Sequence, residues 1–282
     1  MARLTVCADD FGLKPEIDEA AIALVSAGRL NAVSVMAMAS LEEGSASRLA
    51  EAAENAPHQV EIGLHVTLTQ YQPLTNLPGV SSDGMMPSIR DMLFAALRGA
   101  LDHAKLTAEI EAQYDRFCEM FNRPPDYLDG HEHCHTLPGL GAEIARIAKD
   151  KGPSLKWVRQ CSSPFIDIMK TQNARLRASM VKILSDRFKA VLTKAELPCN
   201  DRFLGVIDQI ADEDFSVSMA RFLKLAAGRN DWTVIMCHPA IKDLGADAVV
   251  FDPISERRPA EFSYLSSERF LQDMESAGLK LS

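Results

Sequence analysis

Short runs of apolar and β-branched residues recur along the chain at 4–8, 32–36, 61–66, 155–158 and 233–237, and stretches with helical periodicity separate most of them. That alternation predicts βαβα units and hence a parallel sheet or barrel. After the first run, Ile17, Ala20, Ala21, Leu24 and Val25 recur at helical spacing, and Gly28 falls where a glycine would end the helix. Further helices are expected over 41–55, 107–121, 141–151, 174–195, 213–227 and 267–277, the last opened by Ser266 or Ser267 as N-cap. Residues 70–88 are rich in Pro, Gly, Ser and Asp without periodicity, which marks a long surface loop of the kind that covers active sites. A second irregular stretch is expected over 243–264. No internal repeat or linker interrupts this rhythm, so residues 1–282 are expected to form one domain.

Composition narrows the classes. Hydrophobic residues are 47% of the chain and charged residues 24%, enough apolar material for a sizeable core. A formal charge of −9 argues against binding phosphate backbones or anionic lipid, which need clustered Lys and Arg, so no nucleic-acid partner is expected. The six cysteines are scattered with no CxxC pair, which fits a reduced, cytoplasmic setting. The apolar run after Met1 is too short for a signal peptide, and no stretch reaches the ~18 apolar residues that a membrane span needs.

Polar residues gather where the apolar strands stop. Residues 4–8 run into Asp9 and Asp10, Gly63-Leu64 into His65, Tyr127-Leu128 into Asp129, His131, His133 and His135, and Met236-Cys237 into His238-Pro239. In parallel α/β folds the loops at the carboxyl ends of the strands converge on one rim, where catalytic groups sit. Of seven histidines, only His58 and His103 lie away from these ends. Imidazole and carboxylate together suit a divalent cation of the zinc, manganese or magnesium range, and three protein ligands with open positions form the catalytic pattern. On an extended backbone Asp129, His131, His133 and His135 share one face, while Glu132 and Cys134 point away. Three imidazoles at that spacing cannot all reach one ion without strain, so His133 or His135 is expected to contact substrate or to hold a ligand in place. Consecutive strand residues such as Asp9 and Asp10 point to opposite faces, and the expected division is one metal ligand and one general base. Each signal has a plainer reading. Asp before Phe-Gly also marks a turn or helix cap, an isolated histidine often serves structure through one hydrogen bond, and Cys134 and Cys237 read as small buried hydrophobes.

Taken in order, Ala8-Asp9-Asp10-Phe11-Gly12-Leu13, Gly63-Leu64-His65-Val66-Thr67-Leu68-Thr69, Pro73-Leu74-Thr75, Leu128-Asp129-Gly130-His131-Glu132-His133-Cys134-His135, Met236-Cys237-His238-Pro239-Ala240, and Arg258 with Glu261 resemble the YdjC-like carbohydrate deacetylases. The resemblance implies an irregular, incomplete (β/α) barrel of the polysaccharide-deacetylase type, one divalent cation (magnesium or zinc) and often a homodimer. Position by position it implies Asp10, His65 and His131 as metal ligands, Asp9 as general base and His238 as general acid. His133, His135, Asp129 and Arg258 would line or support the site. Gly130 stands where relatives usually carry Ser. The implied reaction removes an acetyl group from an N-acetylated sugar, with His238 held as imidazolium by a nearby carboxylate. A short sugar is expected, because Trp157 and Trp232 are the only tryptophans available for stacking. The same ligands could serve hydrolysis of a phosphoester or cyclic amide, since fold and metal do not fix the substrate, or persist in a sugar-binding homologue without activity. No P-loop supports a phosphatase, and the presence of both Asp9 and His238 speaks against an inactive binder.

Overall fold

The computed structural model describes residues 3–38, 44–75, 84–151, 155–171, 174–207, 214–242 and 252–281. Its strands are β1 (Arg3–Phe11), β2 (Ala32–Val35), β3 (Glu61–Val66), β4 (Tyr127–Gly130), β5 (Trp157–Val158), β6 (Arg202–Leu204) and β7 (Trp232–Cys237). Among the described residues every ladder is parallel, and the strand order is β5-β4-β3-β2-β1-β7-β6. The helices are α1 (Pro15–Ser26), α2 (Ser45–Glu54), α3 (Ile89–Leu97), α4 (His103–Phe121), α5 (Leu140–Lys151), α6 (Phe165–Lys170), α7 (Arg175–Lys194), α8 (Phe215–Ala226), α9 (Arg258–Ser266) and α10 (Glu268–Ser276).

Alternation along β1 sets two layers. Leu4, Val6 and Ala8 join a core with Ile17 and Leu24 of α1 and Phe117 of α4. Cys7 faces the other way, into a second cluster with Tyr127, Trp157, Phe203, Val234 and Met236. These residues come from strands spread across the whole sheet, so the sheet must curl around them. Arg159 makes the same point. It follows β5, four ladder spacings from β1, which is roughly 19 Å in a flat sheet. Yet its Nη1 lies 2.7 Å from Asp9 Oδ2 on β1. Gly63 leaves room for this interior, since a Cβ there would meet Tyr127 Cε2 at 2.3 Å. Tyr127 fills that space and stacks on Trp157 at 4.3 Å.

No ladder joins β5 to β6 among the described residues. Amides bridge the gap: Gln160 N donates to Asn200 Oδ1 (2.9 Å), Asn200 Nδ2 to Gln160 O (2.9 Å) and Gln160 Nε2 to Asn200 O (3.0 Å). The result is an irregular, incomplete barrel.

Gly28 ends α1 in the left-handed conformation (φ 66°) that the sequence pattern requires. Three-residue β6 and the helices α3 and α6 have no counterpart in the periodicity. The expected irregular stretch over 243–264 differs too, because α9 begins at Arg258 with Pro259 in its first turn, where the missing N–H costs no hydrogen bond. Residues 243–251 of that stretch, 41–43 and 213 of two expected helices, and 76–83 of the expected loop lie outside the described residues. Among the described residues no helix is long and apolar enough to cross a membrane.

Candidate active site

β1 does not end as a regular strand. Its register with β2 shifts between Ala8 and Phe11, and Asp10 adopts a left-handed conformation (φ 69°). This irregularity cancels the alternation that would send Asp9 and Asp10 to opposite faces, and both line one cleft at the carboxyl ends of the strands.

Asp10, His65 and His131 meet there, one ligand atom of each within 4.8 Å of the others. Asp10 Oδ1 is 2.9 Å from His131 Nδ1 and 3.5 Å from His65 Nε2. On the far side of the His65 ring, Nδ1 is 2.6 Å from Asp129 Oδ1, which leaves Nε2 aimed at Asp10. Arg258 donates from Nη2 to Asp10 Oδ2 (2.6 Å) and from Nε to Asp252 Oδ2 (2.6 Å). Burial by itself would raise the pKa of Asp10, but Arg258 and the two histidines override it and hold the carboxyl well below the usual range. Burial would likewise lower that of His65; the charges of Asp129 and Asp9 and hydrogen bonds to Asp10 and Asp129 push it up to about 10. An anionic nest that keeps a proton on a buried imidazole is equally suited to a divalent cation. Two imidazoles and a carboxylate are also a donor set such ions accept while keeping positions open.

A second convergence, of Cys7, Asp9 and Asp129, is already satisfied. The guanidinium of Arg159 sits among them, its Nη2 2.9 Å from Cys7 Sγ, 2.8 Å from Asp9 Oδ1 and 2.6 Å from Asp129 Oδ2. With Nη1 on Asp9 Oδ2, this gives Asp9 a two-point grip that fixes the carboxylate plane at the cleft wall.

The ring of His238 also lines the cleft, and its Nδ1 is buried with no hydrogen-bond partner among the described residues. The neighbouring carboxylate, Glu261, is taken by the His238 backbone N–H (2.6 Å) and by Arg257 Nε (2.7 Å). Burial pushes the His238 pKa well below its ordinary value, with Asp10 opposing only in part. The expected carboxylate that would hold His238 as imidazolium is therefore engaged elsewhere, and burial favours the neutral ring.

The segment from His131 to Thr136 is a 3-10 turn, not an extended strand, with Glu132 (φ 51°) and His133 (φ 60°) left-handed inside it. Face-sharing by odd-numbered residues consequently fails. Glu132, expected to point away, turns into the cleft and accepts hydrogen bonds from Thr69 Oγ1 (2.8 Å) and Gln70 Nε2 (3.2 Å). His133 forms cleft wall, edge-on to Phe203. His135, expected to line the site, is fully buried behind it; its Nε2 donates to the Arg159 carbonyl (3.0 Å), and burial pushes its pKa down to about 4. Cys134 and Cys237 are buried, and burial raises both thiols. Among the described residues six non-glycines have positive φ, and Asp10, Gln70, Glu132 and His133 all line this cleft, so local strain concentrates here.

Sequence reasoning missed Arg159, Asp252 and Tyr71, whose ring lines the cleft 5.5 Å from that of His131. Arg159 was within reach of the strand-end rule, since it directly follows an apolar run; the other two sit on irregular segments with no periodic signal.

The fold and site define an α/β half-barrel protein with a carboxylate–imidazole cluster at the carboxyl rim of its sheet. The chain belongs to the YdjC-like protein family, which it matches over residues 3–276. It is 31% identical over 241 residues to the chitooligosaccharide deacetylase of Escherichia fergusonii, covering 85% of this chain and 82% of that one. Its fold is similar to the crystal structure of an Enterococcus faecalis protein named for cellobiose-phosphate cleavage. That match has a TM-score of 0.74 and 18% identity, covers 99% of this chain and 96% of that one, and bears on the fold alone.

Proposed function

We propose that this protein is a metal-dependent hydrolase that removes the acetyl group from a short N-acetylated sugar. The observation that carries the reading is the convergence, in one cleft, of Asp10, His65 and His131 with Asp9 and with a His238 ring whose Nδ1 has no partner among the described residues. Similarity to a chitooligosaccharide deacetylase supports the choice of an acetamide over a phosphoester or cyclic amide.

Asp10, His65 and His131 would hold a divalent cation, zinc or magnesium. When bound, it supplies Lewis-acid polarisation of the acetamide carbonyl and makes water more acidic. Asp9, oriented by Arg159, takes a proton from the attacking water. As negative charge develops on the carbonyl oxygen, the proton affinity of His238 rises. His238 then takes up a proton from solvent and delivers it to the departing nitrogen, which as an amide anion would be a poor leaving group, and Asp9 afterwards returns to solvent the proton it took from water. One water is consumed, and acetate and a free amine leave. The cleft is lined by aromatic and aliphatic side chains together with convergent polar groups, the make-up of a small-ligand site. Trp157 is buried in the interior, and the half-buried Trp232 packs edge-on against it with the Arg3 guanidinium over its ring, so neither offers a stacking platform for a polymer. The free cysteines agree with a reducing, cytoplasmic setting.

The test is acetate release from N-acetylglucosamine, diacetylchitobiose and longer oligomers, with zinc or magnesium added to chelated protein. Release should depend on the metal and fall to background in His131→Ala and Asp10→Ala. Undiminished release from chelated protein would refute the assignment.

A further inference from the structure

The overall charge of −9 conceals a local reversal. Residues 165–194, which hold α6 and α7, carry seven basic and two acidic side chains, a net +5. One of the two acids, Asp167, is buried against Arg202 and does not face solvent. The same two helices, which pack on each other, expose large apolar side chains. Leu176 is 78% exposed, Ile183 59% and Met180 50%; at i, i+4 and i+7 they form one stripe along α7. On α6, Phe165 and Ile166 are each 59% exposed. Lys170, Arg175, Arg177 and Arg187 are exposed around them. A well-folded surface rarely leaves so much apolar area on adjacent helices without an occupant.

We infer that the α6–α7 face is a docking surface for an anionic lipid bilayer, with Leu176, Met180 and Ile183 entering the headgroup layer and the flanking Lys and Arg side chains meeting lipid phosphates. A helix with an apolar stripe and basic flanks lies in the membrane plane and gains from both terms together. A second copy of this chain is the competing occupant, but a two-fold contact through this face would oppose one basic cluster to another, and the charge favours a negative partner. The position has a consequence for the cleft: Arg177, on the first turn of α7, is also part of the active-cleft lining, so a docked α7 holds the cleft mouth near the lipid headgroups.

The experiment is co-sedimentation of the full chain with phosphatidylcholine vesicles and with vesicles containing about one-third phosphatidylglycerol. Binding to the anionic vesicles alone, weakening steeply between about 0.1 and 0.5 M salt, is the expected result. Arg175→Gln/Arg187→Gln should weaken it about thirty-fold. Leu176→Gln/Ile183→Gln should weaken it about ten-fold or more, with circular dichroism unchanged because both side chains are on the surface. No pelleting with anionic vesicles, equal pelleting with neutral ones, or wild-type binding by both variants would overturn the inference. So would a dimer in analytical ultracentrifugation that Leu176→Gln/Ile183→Gln dissociates while the wild type ignores vesicles. Acetate release is not part of this readout, so loss of one proposal leaves the other standing.

Discussion

Asp129 Oδ1 lies 2.6 Å from His65 Nδ1, and its Oδ2 lies 2.6 Å from Arg159 Nη2, so one buried carboxylate orients both a candidate metal ligand and the guanidinium that grips Asp9. Asp129→Asn keeps the shape but removes the charge that sets the His65 ring. Affinity for zinc should fall 10- to 100-fold, measured by titration calorimetry on chelated protein. An unchanged affinity would show that His65 does not bind the ion.

Metal uptake should grow with pH. Only neutral imidazole ligates, and the acidic surroundings push the His65 pKa up to about 10, so below that value the resting protein must release a proton when the ion enters. Apparent affinity then rises by up to about ten-fold per pH unit on the way to about 10, and flattens above it. Calorimetry in two buffers of different ionisation enthalpy reads the proton directly; no buffer dependence at pH 7 would contradict this.

Arg159 is fully buried between Asp9 and Asp129. Arg159→Met would leave two carboxylates close together without a counter-charge, and should cost about 3–5 kcal/mol of stability in denaturant unfolding. Adding Asp9→Asn and Asp129→Asn should restore part of that loss. A stable Arg159→Met protein would mean the carboxylates find protons or other partners unaided.

At Gly130, a Cβ would sit 2.8 Å from His135 Nδ1 and 3.0 Å from Cys134 Sγ. The His135 ring cannot easily yield, held by the Arg159 carbonyl on one side and Phe188 edge-on on the other. Gly130→Ala should therefore destabilise the protein by about 1–3 kcal/mol, read from the unfolding midpoint.

Much of the fold was legible because its signals are local. The β1, β2, β3 and β7 runs and the α1, α4, α5 and α7 periodicities are properties of a few consecutive residues, and so is the crowding of Asp and His just beyond the strands. What local pattern could not supply was backbone conformation where it departs from the regular. Asp10 and Glu132 are the clearest cases: each reaches the cleft only because it is left-handed, a state that no periodicity encodes for a non-glycine and that surrounding contacts must enforce.

By itself the sequence determined the strand–helix rhythm, the family and the set of chemically capable side chains, because these depend on residue type, spacing and order. Tertiary structure decided which of them meet. Curling the sheet brought Arg159 from beyond β5 to Asp9 on β1, placed His135 behind the cleft instead of in it, and left the half-buried His238 ring in the cleft with no carboxylate on its Nδ1, since distances and burial exist only once distant segments pack together.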